Sequence, residues 1–516
     1  MARINSNVPS LIARTNLGRA NQDLEVRLQR LATGLKINRG ADNPAGLIIS
    51  ERLRSEVSGL NQAVNNSQRA SSVIATAEGA LAEISDLLNS VRGLVVEAAN
   101  TGAISAEERA ANQLQIDSAI DTITRISNSA SFGGLKLLNG SLDYVLSGLE
   151  SDAISKATIF GANFAGRSQI QVDVNVIASA QTASLFLSAS NLGSPVAAGR
   201  FASTTTIEVA GPLGVQVLEI LSGQSLDSVV QAINAFTAAT GISASLLNPS
   251  DVASGMRFTS TTYGSNAFAS VRRLNEPAGG GFFRTFALTS NGAVPGTPSF
   301  SDTAFSSGLT AANRDAGRDV SAIVNGALAN GNGLRLSLQN QTALSLEMQL
   351  DAAFATANGS TSTFFITGGG ALYQLGGTIN TSQQTNIGIQ SMAASRLGGT
   401  LLNAELQFLS SLRSGGSNDL NSRQFQNASA ILDTSIDEVS LLRGRLGAFE
   451  RNTLETNVRS LTTAIENLTA SESRIRDADF ADETSRLTRS QILSSASTSV
   501  LALANQQSQQ VLQLLG

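Results

Sequence analysis

The sequence predicts an α+β protein: a long, coiled-coil-like helical bundle built from both termini, with an inserted, mostly β outer region. Three observations lead there. Apolar residues recur at heptad spacing near each end of the chain. The region between alternates with a period of two, the signature of half-buried strands. Neither end can shelter its apolar stripe alone, so each must pack on the other or on further copies of the chain.

The first helix is expected from residue 1 to about residue 40, with Leu17, Leu24, Leu28, Leu31 and Leu35 at steps of three, four or seven. Gly34 through Gly46, with Asn38, Gly40, Asp42, Asn43 and Pro44, then breaks it. Helix resumes near Ile48 and runs to about Asn100. Its stripe is Val57, Leu60, Val64, Ser71, Ile74, Leu81, Ile84, Leu88, Val91 and Val95, a seam roughly 57 Å long at the helical rise. After a turn at Thr101-Gly102-Ala103, Ser105 is placed to cap a third helix whose first turn holds Glu107 and Glu108. Ile116, Ile120, Ile123 and Ile126 form its apolar face, and it should stop before Phe132-Gly133-Gly134.

Strand grammar begins at about Gly148. Ile170, Val172, Val174 and Val176 share one face, and Leu334–Gln339 and Leu344–Leu350 alternate in the same way. Turns such as Asn330-Gly331-Asn332-Gly333 punctuate the runs, and one helix is expected around Ser225–Phe236. At about Thr385 helix should return. Its stripe is Leu432, Ile436, Val439, Leu442, Leu446 and Phe449, resuming after a slip in phase with Leu454, Val458, Leu461, Ile465 and Leu468. A hinge is expected around Asp477-Ala478-Asp479-Phe480. The last stripe is Leu487, Leu493, Val500, Leu503, Val511 and Leu514. Chain ends fray unless something binds them, so these two amphipathic ends should pair or enter a multi-chain core.

Composition removes most chemistry. The 516 residues include no Cys, no His and no Trp, which excludes thiol and imidazole catalysis and the usual transition-metal ligand sets. No catalytic, cofactor or metal residue is assigned. The formal net charge of −5 carries no basic surplus for nucleic acid, and no apolar run is long enough to span a membrane. Only Lys36, Lys136 and Lys156 are lysine among 35 basic residues. Asp477 and Asp479 read as caps holding the hinge, since one acidic pair makes a poor cation cage. Gly279-Gly280-Gly281 and Gly368-Gly369-Gly370 lack the Lys-Ser/Thr of a phosphate loop.

Certain polar blocks go beyond any generic heptad pattern. Leu31-Ala32-Thr33-Gly34-Leu35-Lys36-Ile37-Asn38, followed by Ala41-Asp42-Asn43-Pro44-Ala45-Gly46, resembles the N-terminal signature of bacterial flagellins. Leu446-Gly447-Ala448-Phe449, Asn467 through Phe480, and Thr498 through Gln506 resemble the C-terminal blocks of that family. Gly223–Ala235 with Ile242–Leu246 is similar to the Ile-Asn repeat of flagellins and hook-associated proteins. The resemblance implies a subunit that self-assembles into the flagellar filament and serves swimming.

It further implies a domain plan: 1–45 and 476–516 as filament-core helices, 46–147 and 376–475 as the two parts of a helical rod, and 148–375 as a variable outer region with the repeat at about 207–274. Self-assembly is assigned to Leu17, Leu24, Leu28, Leu31, Leu35, Leu493, Val500, Leu503, Val511 and Leu514. Implied partners are other flagellin subunits, the flagellar export apparatus and an export chaperone, and hook-associated and cap proteins. Export is expected without a cleaved signal peptide, to an extracellular filament. A hook–filament junction protein is the rival reading.

Family members also present a helical patch to a Toll-like receptor. Here it falls on Ser90, Val91, Arg92, Gly93 and Leu94, with Gln115 on the next helix. Ser90, Gly93 and Gln115 stand where recognised members carry Arg, Glu and Glu, so weak engagement is expected.

Overall fold

The computed structural model describes residues 7–164, 166–188, 199–275, 283–288, 309–340, 344–402 and 405–515. In chain order the helices are α1 (Val8–Thr33), α2 (Pro44–Ala99), α3 (Ala106–Ser129), α4 (Leu226–Asn234), α5 (Thr237–Thr240), α6 (Ala352–Thr356), α7 (Phe425–Phe449), α8 (Glu455–Arg476) and α9 (Phe480–Leu515). A π-helical turn, Glu450–Leu454, joins α7 to α8. Contacts group the chain into two units. One holds Met1–Ile74, Tyr373–Thr385 and Leu446–Gly516, the other Ala75–Leu372 and Asn386–Arg445.

Helix ends follow local chemistry. Asn7 caps α1 by accepting from Ser10 N, and Gly34, at φ 72°, ends it in the left-handed region. Asn43 accepts from Gly46 N at 2.9 Å where α2 begins at Pro44. Ser105 and Glu108 form a reciprocal capping box on α3. Asp479 caps α9 through the N–H groups of Ala481 and Asp482, the role expected of the hinge carboxylates.

In the first unit, the loop 373–385 is strapped across α2 and α8. Asn457 donates to Ser67 Oγ at 3.1 Å and to the Leu375 carbonyl at 2.8 Å. Ser71 donates to Glu450, and the Tyr373 and Phe449 rings lie 6.0 Å apart. The Gly59 and Gly377 backbones meet so closely that a Cβ on Gly59 would stand 2.8 Å from the Gly377 carbonyl oxygen. A side chain on Gly59 would hold the strap off the helix.

The second unit contains two β assemblies. An eight-stranded sheet runs Tyr144–Ser147, Thr361–Gly369, Ile170–Ala178, Ser321–Val324, Ala327–Asn332, Arg335–Asn340, Leu344–Leu350, Ile154–Ala162. Its two edge strands are tied together, because the Tyr144 hydroxyl accepts from Ala162 N at 2.9 Å. Burial pushes that phenol up to about 12. Val172, Val174, Val176, Leu336, Leu346, Met348 and Phe364 fill the core. The second assembly pairs a five-stranded with a four-stranded sheet around Leu185, Val209, Phe258 and Val271, with α4 closing the core through Leu226, Val229 and Ile233.

Three expectations need correction. Helix does not return at Thr385: short strands (Gln384–Ile387, Thr400–Leu402, Glu405–Gln407) and a 3₁₀ turn precede α7 at Phe425. Gly398 and Gly415 sit at positive φ there, while Ile389, Met392, Leu397 and Leu409 are buried, so packing holds an irregular path. Strands also start before Gly148, at Ser131–Phe132. On α2 the buried row is Ala63, Ser67, Ala70, Ile74, Ala77, Leu81, Ile84, Leu88, Val91, Val95 and Ala98, in unbroken steps of four and three. Val57, Val64 and Ser71 are only half-buried. Small residues take the seam in its first half because backbones approach closely there, as at Gly59.

The phase slip expected after Phe449 has a structural cause. On α7 the buried row Ala428, Leu432, Ser435, Val439, Leu442 and Leu446 keeps the same rhythm. One residue too many separates Phe449 from buried Leu454, and the π turn absorbs it.

A candidate assembly face on the terminal helix pair

Helices α1 and α9 pack antiparallel within the first unit. The residues of α9 that leave solvent between Phe480 and Gln507 are Glu483, Leu487, Ser490, Ser494, Ser497, Leu501 and Ala504, spaced by four and three in strict alternation. On α1 the matching row is Ser10, Ala13, Leu17, Ala20, Leu24, Arg27 and Leu31. Small and polar side chains outnumber the leucines in the two rows together, so this seam fixes register more than it buries area.

Hydrogen bonds pin it along its length. Asn7 Nδ2 donates to the Ala504 carbonyl at 3.1 Å and Ser10 Oγ to Asn505 Oδ1 at 2.8 Å. Ser494 Oγ donates to Asn21 Oδ1 at 2.8 Å, and Ser490 Oγ to Asp23 Oδ2 at 2.5 Å. At the far end Arg27 and Arg30 converge on Glu483 at 3.0 and 3.2 Å, and Arg27 also binds Asp23 at 3.0 Å. The Ser490 hydroxyl, with Arg27 beyond it, holds the Asp23 carboxyl below the usual range against its partial burial. Burial alone would lower Arg27, but its bonds to Glu483 and Asp23 outweigh that and raise it.

The pair is closed where both helices meet their hinges. Lys36 N donates to the Arg476 carbonyl at 2.7 Å and Ala478 N to the Gly34 carbonyl at 2.9 Å, making an antiparallel bridge between Leu35 and Asp477. Arg476 also reaches Glu51 at 3.0 Å.

Of the residues assigned to assembly from sequence, Leu17, Leu24 and Leu31 lie on this seam and Leu35 in the hinge bridge. Leu28, Leu493, Val500 and Leu503 do not. They stand outward, Leu503 at 70% exposure, together with Val8, Leu11, Ile12 and Ile492. The side chains of Val511 and Leu514 lie outside the described residues. Sequence reading followed the leucines of α9 and missed its polar seam; the signal was the heptad spacing of Glu483, Ser490, Ser497 and Ala504.

The receptor-like patch belongs to the second unit. Val91 is buried and Leu94 half-buried, whereas Ser90, Gly93 and Gln115 face solvent. Arg92 is engaged by Asp433 at 3.2 Å. Nothing in the described structure fills the space beside Gly93 within 4 Å.

Family models for the bacterial flagellin N-terminal helical region, the bacterial flagellin C-terminal helical region and the flagellin hook IN motif match residues 4–143, 429–515 and 206–262. The chain is 29% identical to the B-type flagellin of Pseudomonas aeruginosa and 28% identical to the flagellin of Salmonella typhimurium, with 99% of each chain covered in both cases. Among solved structures it resembles flagellar hook associated protein-3 of Legionella pneumophila at 12% identity, covering 82% of this chain and 98% of that one, with a TM-score of 0.29. That likeness is too slight to bear on function. Helices from both chain ends, paired through a polar seam with large apolar side chains turned outward, define a self-assembling structural protein. The chain belongs to the bacterial flagellins.

Proposed function

We propose that the chain is the structural subunit of a bacterial flagellar filament, acting by assembly rather than catalysis, in the service of swimming. The observation that carries this reading is the outward apolar row of α1 and α9: Leu11, Ile12, Leu28, Leu493, Val500 and Leu503 are exposed in the single chain. Burying side chains of this size is worth about 1.5–3 kcal/mol each, and neighbouring copies offer that shelter. Nearly full-length similarity to filament flagellins supports it over a hook–filament junction protein.

The finer plan belongs to the same proposal. Residues 1–45 and 476–516 form the filament core, and 46–147 with 376–475 form a coiled-coil-like rod. Residues 148–375 make an outer region carrying the repeat. Passage through the flagellar export apparatus with a chaperone, and contact with cap and hook-associated proteins at the filament's ends, complete it. The receptor patch is weak, because Ser90, Gly93 and Gln115 offer little to a partner and Arg92 is already paired. Full-strength activation of a receptor reporter line by purified monomer would refute that clause.

Truncation after Asp479 tests the main reading. The shortened chain should keep its β assemblies, seen by circular dichroism, yet form no filaments under the electron microscope. Long filaments from it would overturn the proposal.

A further inference from the structure

Three arginines from separate segments gather beside the four-stranded sheet. The strand Phe268–Arg273 buries Ala269 and Val271 and turns Phe268, Ser270 and Arg272 the other way. Arg314 pairs with Ser270 from the neighbouring strand Arg314–Ala316, so it shares that face with Arg272. Arg284 arrives from a third segment. Before it, Phe283 holds φ 59°, a costly conformation for an aromatic residue. Its ring is buried 6.3 Å from that of Phe201, and Arg284 is left exposed. Arg272, Arg284, Thr285 and Asn313 line a hollow of about 340 Å³, at the small end of ligand sites.

The hollow is rich in donors and poor in acceptors. The Arg284 guanidinium lies 5.7 Å from the centre of the Phe286 ring, and that of Arg314 lies 4.1 Å from the centre of Phe268. Among the described residues neither guanidinium makes a hydrogen bond or ion pair. Each is held by a ring face while its N–H fork stays open. The one carboxylate in the group is Glu208, which takes Arg272 at 3.2 Å. Arg273 also lines the hollow and has a partner of its own. Nearby backbone carbonyls are used: Ala312 O accepts from Thr285 Oγ1 at 2.7 Å, and Asn313 O from Val271 N at 2.8 Å.

We infer that this hollow binds the carboxylate or sulfate group of an acidic polysaccharide. Guanidinium forks grip such oxyanions through paired, charge-assisted N–H bonds, and two unpaired forks outweigh the single carboxylate present. A nucleic acid is the poorer occupant. Its unpaired bases need open aromatic faces, but the rings of Phe268 and Phe286 each already carry an arginine and Phe283 is buried. One exposed site holds an anion weakly, because salt screens it. A polymer that repeats the site would hold a long polyanion at many points and gain avidity. The site itself belongs to the single chain, and only this last step rests on the proposed filament.

Titration calorimetry of the full-length monomer tests it, with heparin as the sulfated probe and polygalacturonate as the carboxylate probe. The wild-type chain should bind at least one of them, and which one names the group recognised. Neutral dextran should give no heat. Arg284→Gln/Arg314→Gln should weaken binding at least roughly tenfold with an unchanged thermal midpoint. Lys136→Gln/Arg167→Gln, which removes equal charge at exposed positions elsewhere, should bind as the wild type does. Equal binding by the two arginine variants of the hollow and the wild type would overturn the site, as would an equal loss in the control. Absence of binding to both polyanions, or equal affinity for single-stranded DNA, would overturn it too. Monomer binding is read without polymerisation, so a chain that formed no filaments would defeat the proposed function alone.

Discussion

Arg27 on α1 donates from one nitrogen to both carboxylate oxygens of Glu483 on α9, at 3.1 and 3.0 Å, and the Glu483 side chain is 5% exposed. Arg30 shares the same carboxylate. Removing Glu483 leaves Arg30 without its carboxylate and Arg27 with Asp23 alone in a largely buried seam. Glu483→Leu should cost about 3–5 kcal/mol, read as a lower dissociation temperature of filaments. Glu483→Asp, which keeps the charge, should recover part of the loss.

Acid should loosen the same seam. The Asp23 carboxyl is held below its ordinary value of 3.8, chiefly by the Ser490 hydroxyl. A depressed folded pKa stabilises the pair above the unfolded value, and the benefit disappears as pH falls through the folded one. Filaments followed by light scattering should therefore lose stability below roughly pH 4. Asp23→Asn should be weaker near neutrality and show a shallower acid dependence.

Two glycines on α2 should respond in opposite directions. A Cβ at Gly59 meets the Gly377 carbonyl oxygen at 2.8 Å, whereas one at Gly93 meets nothing within 4 Å. Gly59→Ala should destabilise by about 1–3 kcal/mol through forced backbone shifts. Gly93→Ala should stabilise by about 1 kcal/mol through helix propensity. Thermal denaturation of the two variants separates the cases.

The π turn Glu450–Leu454 holds one residue beyond the heptad rhythm. Deleting exposed Asn452 should let α7 and α8 run as one α-helix with Leu446 and Leu454 still on the seam, leaving the thermal midpoint unchanged or higher. Deleting Ser440, where no surplus exists, should throw Leu442 and Leu446 off the seam and lower the midpoint sharply. Equal losses from both deletions would contradict this account of the turn.

Much of this architecture was legible because helix and strand periods are written in large side chains. Ile116, Ile120 and Ile123, or Val172, Val174 and Val176, announce their faces directly, and Ser105 with Glu108 announces a cap. Seams built from small or polar residues are quieter. Ala63, Ser67 and Ala70 yielded to nearby Val57 and Val64 in the sequence reading, although close helix packing needs the smaller set. On α9 Leu487 falls on the intramolecular seam while Leu493, Val500 and Leu503 face outward, because apolar spacing cannot say whether its partner lies in the same chain or the next. The glycine-rich path that buries Ile389, Met392, Leu397 and Leu409 was read as helix, since these apolar residues are held by tertiary packing and do not alternate as a strand does.

The central claim is that the outward apolar row of the terminal helices is what neighbouring copies bury. The most direct measurement is seeded polymerisation of Leu493→Ser/Val500→Ser/Leu503→Ser, followed by electron microscopy, with circular dichroism to verify that α1 and α9 remain helical. The account predicts a helical monomer that adds to no seed, while the wild-type chain grows long filaments. Normal filaments from the triple variant would contradict it.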